Sequence, residues 1–465
     1  MRRISIKQVI LTVFFFVLTF LLFIEQEKAD GDILIYISFF AIGLYSLFQI
    51  ILESGYRTFS CNMLHWLFMF FFMFCSPYLQ YTSGSFALGY EPTDDQLLKT
   101  NFLILTWCCV YTLFFCFKNK RSKQKEKGAL FNLSIISRRR LYVITWVSIA
   151  ISTLIALYML RKGGTSIIFS RTAGEGVFVS SSSVKTSLMT YLCRNFVTYS
   201  TALAILYFKK SKNSLPIIIM AILLIITCSP IGMPRFQTAT VYCGLLIIAF
   251  PKITNKISFV ICFALAFMVI FPMINAFRYV DFHEYNILQL FSDSLKNITK
   301  NLTDGNFDAY VMFMKTQKYV QANGITYGKQ LLGAIFFFIP RSLWNSKPYG
   351  SGYTIHVAEG KIGAAANVSC PLPAEGYINF GILGVILFAA VFAFAVRLLD
   401  KTFYLPTDRC RMIRNKVVYV FIPTIMFFML RGDLMSTTSF LISYVVVGKV
   451  VTYLSIKSEK TISKG

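Results

Sequence analysis

From Leu331 to Gly381 the chain reads LLGAIFFFIPRSLWNSKPYGSGYTIHVAEGKIGAAANVSCPLPAEGYINFG. An apolar run stops at Ile339-Pro340, turns on Arg341, and crosses a loop rich in Gly, Pro, Ser and Asn. Apolar sequence resumes through Pro373-Ala374-Glu375. Proline has no backbone donor and breaks helices, so Pro340 is expected to end its run and set Arg341 at a membrane boundary. An arginine there, beneath a loop able to fold over it, is a candidate anion site. The remaining sequence reads as scaffolding that holds this face on one side of a bilayer.

Composition supports that frame. The chain has 465 residues, is 56 % hydrophobic and has only 14 % charged residues, where a soluble protein carries about 25 %. Its 47 Phe and 25 Tyr suit lipid-facing surfaces and interfacial belts. A net charge of +25 raises the question of nucleic acid, and the distribution of the charge answers it. Of the 46 Lys and Arg, 27 fall in segments that the topology assigns to the cytoplasm, as short scattered loops. That is the positive-inside pattern, so no nucleic-acid partner is expected. Most of the 11 cysteines lie in apolar runs without metal-ligand spacing, so neither a disulfide framework nor a metal is expected.

About 20 apolar residues cross a bilayer. A basic N-terminus and an apolar run over 9–24, with no cleavage signature after it, read as a retained first helix. Further spans are expected near 33–52, 63–82, 101–117, 141–160, 187–208, 215–229, 237–250, 258–276, 374–398, 417–430 and 437–454, about twelve in all. The pair around Ser229–Arg235 reads as two tilted spans or a hairpin. Alternating the loops places 118–140, 209–212, 251–256, 397–416 and both termini in the cytoplasm. One large extracytoplasmic loop, 277–373, then lies within a single all-α polytopic membrane domain, 1–465. Loops of this length are usually functional. Inside it, Leu331–Ile339 is too short to span and is expected to lie on the membrane or dip into it.

No nucleotide, dinucleotide or metalloprotease motif is present, so no cofactor is expected. Five arginines on the outer side, Arg194, Arg235, Arg278, Arg341 and Arg431, sit in or beside apolar runs. There an unpaired charge costs at least about 2.5–3.5 kcal/mol. A single one reads as a snorkelling anchor or ion-pair partner. Five together suit a pyrophosphate, whose oxygens match guanidinium forks in pairs. Arg194 is the weakest of the set, because Glu175 offers a structural partner. Glu375 opens a helix after Pro373, where the helix dipole holds a carboxylate, so it reads as N-terminal cap or as catalyst. Asp433 follows Arg431 by two and reads as its partner. His283 and His356 are candidate general bases or hydrogen-bonded loop histidines.

Three segments resemble a known family. They are Phe-Ile-Pro-Arg-Ser-Leu-Trp-Asn-Ser-Lys-Pro (338–348) with Gly350-Ser351-Gly352, then Pro-Leu-Pro-Ala-Glu-Gly-Tyr-Ile-Asn-Phe-Gly (371–381), and Arg431-Gly432-Asp433. Together they resemble the Wzy-type polymerases of O-antigen and capsule repeat units. The close match covers about 50 residues plus the triplet. The resemblance implies a GT-C-like glycosyltransferase of the bacterial inner membrane. It would join undecaprenyl-diphosphate-linked oligosaccharides on the outer face without nucleotide sugar or ATP, alongside a flippase and a chain-length regulator. In that frame Arg235, Arg278, Arg341, Lys347, Arg431 and Asp433 are candidate substrate ligands. Glu375, His356 and His283 are candidates to take the acceptor's proton. The rival readings are an O-antigen ligase, a lipid-linked oligosaccharide flippase and a non-enzymatic partner of a polysaccharide complex. A flippase should show repeated halves, and no internal repeat is visible.

Overall fold

The computed structural model describes residues 5–23, 31–117, 136–169, 184–276, 298–303, 305–361, 368–404 and 409–457, with residues 289 and 292. Among these the chain is helical and contains no strand. Among the described residues, eight helices are long and apolar enough to cross a membrane: Ile6–Phe23, Ile33–Ser54, Cys61–Thr82, Asp94–Cys116, Arg138–Gly163, Leu372–Thr402, Cys410–Arg431 and Leu434–Ser455. Three shorter apolar helices, Leu215–Thr227, Arg235–Ala249 and Ser258–Ile270, lie between them, as does a 28-residue helix, Val184–Ser211. The chain is therefore a polytopic helical protein built for a membrane. The pair around Ser229–Arg235 is two separate helices, divided by a turn that Pro234 closes.

Boundaries follow local chemistry. Asp32, Ser60, Ser137 and Asp433 each accept a hydrogen bond from a backbone N–H in the first turn of the helix they open. Thr93 and Gln96 form a reciprocal capping box before Asp94–Cys116. Some boundaries differ from the sequence reading: the spans expected at 101–117 and 417–430 begin seven residues earlier, at Asp94 and Cys410. The helix over Lys329–Ile335 ends well before Pro340, and 336–347 continue as turns. Lys347 explains the early stop, because its Nζ donates to the carbonyls of Phe337 (2.7 Å) and Ile339 (2.8 Å) and so satisfies them without a helix.

Cys61–Thr82 is the central post. Every residue from Cys61 to Cys75 is buried, and a π-helical turn at Phe71–Cys75 widens it in mid-course. Its side chains lock the segment around 302–308 in place. Phe72 stacks on Phe307 at 4.9 Å, Ser76 Oγ donates to the Leu302 carbonyl, and Gln80 Nε2 donates to the Phe307 carbonyl. Asn306 and Asp308, on either side of Phe307, are thereby held at the top of the post. The peripheral helices turn large apolar side chains outward, among them Phe16, Leu44, Phe102, Leu154 and Leu383. In water such a surface would drive aggregation; in lipid it is the solvated face.

Leu372–Tyr404 contains the second defining feature, a break at Phe380 and Gly381. Gly381 has φ 64° and ψ −143°, a conformation open essentially to glycine alone. Asn379 ties the broken end down. Its Nδ2 donates to the Glu375 carbonyl, and its Oδ1 accepts from the Leu331 amide at 3.1 Å. The Asn-Phe-Gly of the sequence is thus a break that anchors the segment 326–331 to the start of this helix.

Candidate functional site

Three distant segments meet at Glu375. Its side chain is 1 % exposed; Oε2 accepts from Ser351 Oγ at 2.6 Å, and Oε1 accepts from the Leu434 amide at 2.9 Å. Glu375 therefore stitches the glycine-flanked turn at 350–352 to the first turn of Leu434–Ser455. Asp433 is the N-cap of that same helix, accepting from Ser436 N at 3.2 Å. Two carboxylates at one helix N-terminus are favoured by its dipole. The glycines permit this closeness. A Cβ on Gly350 would lie 2.2 Å from Asp433 Oδ2, and one on Gly352 would lie 2.3 Å from the Val368 carbonyl oxygen. Burial pushes the Asp433 carboxyl above its ordinary range, opposed by the amides of Ser436, Gly352 and Met435. Cys370 is buried beside the pair. Burial, then the charges of Glu375 and Asp433, push its thiol well above its ordinary value and keep it neutral.

Cations flank this acidic knot. Arg431 Nη2 pairs with the buried Asp308 Oδ1 at 2.9 Å. The partner expected for Arg431 is Asp433, two residues on; the structure supplies Asp308 from the 277–373 segment instead, because Asp433 is turned into its own helix as a cap. Arg235 Nη2 donates to Asn306 Oδ1 at 2.7 Å, two residues from Asp308. Phe236 stacks on Phe428 at 3.5 Å, so the helices carrying Arg235 and Arg431 lie against each other. Arg194 is buried and donates to Gln237 Oε1 at 3.3 Å, and Glu175 lies outside the described residues.

Arg341 does not stand as an open fork. Nη1 and Nη2 donate to the carbonyls of Lys347 and Pro348, and the guanidinium lies 3.7 Å from the centre of the Tyr349 ring. With Lys347 held on Phe337 and Ile339, both cations of the 338–348 element close their own loop. Around that loop apolar side chains face outward: Tyr327, Leu332, Ile335, Phe336, Phe338, Leu343 and Tyr349, with Tyr327 82 % and Leu343 81 % exposed. This apron fits a segment that lies on lipid.

His356 belongs to a second cluster, at the other end of the short helix Ser351–Ala358. It is 1 % exposed; its Nε2 lies 3.4 Å from Lys315 Nζ and 3.9 Å from Glu359 Oε2, and Lys315 pairs with Glu359 at 2.7 Å. Burial lowers the Lys315 amine, against the pull of Glu359. His283 and Arg278 lie outside the described residues. Sequence reasoning passed over Ser351, Lys315 and Asn306 as site residues. A serine between two glycines was the one visible signal among them. No protein-family model, no curated protein and no solved structure matches this chain.

Proposed function

We propose that this chain is a membrane glycosyltransferase that joins lipid-diphosphate-linked oligosaccharide repeat units into a surface polysaccharide. The observation that carries the proposal is the meeting of the 350–352 turn, Glu375 and Arg431–Asp433. These parts of the family-like segments lie far apart in sequence yet form one buried acidic knot with arginines at its edge. The apolar apron at 327–349 supports it by offering a surface for polyprenyl chains next to that knot.

In the reaction an acceptor sugar hydroxyl attacks the anomeric carbon of the donor chain. A new C–O bond forms as the bond to the lipid diphosphate breaks, and that electron pair leaves on the diphosphate. The hydroxyl proton passes to a base. Glu375 is assigned that role, held by Ser351 and Leu434 in a dry site. His356, with Lys315 and Glu359, is the alternative acceptor. Arg431 and Arg235 stabilise the departing diphosphate as charge develops on it. The energy is already stored in the glycosyl-phosphate bond, so no nucleotide is needed. In this reading the layout has about twelve spans and is GT-C-like, lies in the bacterial inner membrane with both termini cytoplasmic, and keeps the site on the outer face.

Deleting the chain and running surface polysaccharide on a gel tests the reading. A polymerase defect leaves acceptors carrying one repeat. Complete absence of attached repeat would point instead to a ligase or flippase and overturn the proposal. Reporter fusions at Lys123 and Gly324 should report opposite sides of the membrane; the same side for both would remove the proposed topology.

A further inference from the structure

At the end of the bundle opposite Glu375 a cavity of about 370 Å³ lies between the helices Arg409–Tyr419 and Leu434–Ser455. Its lining includes Arg411, Arg414, Asn415, Lys449 and Tyr453, and no carboxylate is among the described lining residues. Asp433 and Tyr453 stand 20 residues apart on one continuous helix, about 30 Å at 1.5 Å per residue. That is the thickness of a bilayer's hydrocarbon core. On a helix that crosses the bilayer, the cavity falls at the headgroup level of the leaflet opposite Glu375 and Asp433.

Two observations identify its ligand. First, the cations converge on a built wall. Arg414 donates to the Ile456 carbonyl at 3.2 Å and lies 5.3 Å from the centre of the Tyr453 ring, with Lys457 5.4 Å from the same ring. Second, the helix face on which the cavity opens is apolar and outward-turned. Val446, Val450, Tyr453 and Leu454 are all exposed, and Lys449 is exposed among them. A free anion gains nothing from that strip, whereas an acyl chain can be buried along it. We propose that this cavity binds the headgroup of an anionic phospholipid, with the phosphate between Arg411, Arg414 and Lys449 and an acyl chain against Val446 and Val450. The site is separate from the proposed reaction and stands whether or not that reaction is correct.

Purified full-length protein in phosphatidylcholine nanodiscs, with and without phosphatidylglycerol, provides the test, read by native mass spectrometry of retained lipid. Wild type should retain phosphatidylglycerol selectively. Each cation removed should weaken retention about fivefold, so the double variant Arg411→Gln/Lys449→Gln should lose about 30-fold. Both side chains are exposed on the bundle surface. A circular-dichroism melt establishes that the double variant is folded. Should it prove unfolded, Lys449→Gln alone carries the test with a fivefold loss. Equal retention of the two lipids by wild type, or unchanged selectivity in the folded variant, overturns the proposal. Competition by millimolar inorganic phosphate with no requirement for acyl chains would also overturn it, by assigning the cavity to a soluble anion.

Discussion

Replacing Glu375 separates a structural clamp from a proton acceptor. In Glu375→Ala the Leu434 amide and the Ser351 hydroxyl both lose their acceptor in a buried site. Each stranded donor costs about 1–3 kcal/mol, so the variant should lose about 2–6 kcal/mol. Glu375→Gln behaves differently. The amide oxygen can still accept from Leu434, while the new NH₂ donates to Ser351 Oγ, whose hydroxyl turns to accept. What disappears is the ability to take up or release a proton beside Asp433, while both buried hydrogen bonds persist, so the cost to stability is small. Glu375→Gln should therefore fold and insert like wild type, lie several degrees above Glu375→Ala in thermal unfolding, and yield no polymer ladder. A wild-type ladder from Glu375→Gln would reduce Glu375 to a cap and move the proton to His356 or elsewhere. Equal destabilisation of the two variants would refute the two-bond geometry itself.

Gly350→Ala drives a methyl group to 2.2 Å from Asp433 Oδ2. It should destabilise by about 1–3 kcal/mol, and Asp433→Ala in the same chain should recover most of the loss, a coupling that a double-mutant melt measures. Burial raises the Asp433 carboxyl above its ordinary value of 3.8, so the native state holds that proton more tightly than the unfolded chain. Its contribution to stability is full below pH 3.8 and is lost as pH rises through the folded value; Asp433→Asn should flatten this part of a melting-temperature profile. Arg431→Gln leaves Asp308 buried and unpaired, at a cost of about 3–5 kcal/mol. Adding Asp308→Asn should return much of that stability, whereas additive losses would show that the pair is not coupled.

Much of the architecture follows from the sequence alone, because membrane spans depend on composition over a length and not on distant contacts. The apolar runs and their basic flanks are local signals, and the long apolar helices form where the runs fall. Glu375 stands out in the sequence as a candidate from its place after Pro373, and Gly350-Ser351-Gly352 as part of a punctuated stretch, without a site role for Ser351. Their contacts are not legible there. Tertiary structure alone decided that Ser351 and Leu434 share the carboxylate of Glu375, that Arg431 pairs with Asp308 about 120 residues away, and that Arg341 and Lys347 close their own loop. The reason is physical: a buried charge takes whichever partner the packed helices bring within reach, and that choice rests on the Phe72–Phe307 stack and the Gly381 break, which no spacing in the sequence encodes.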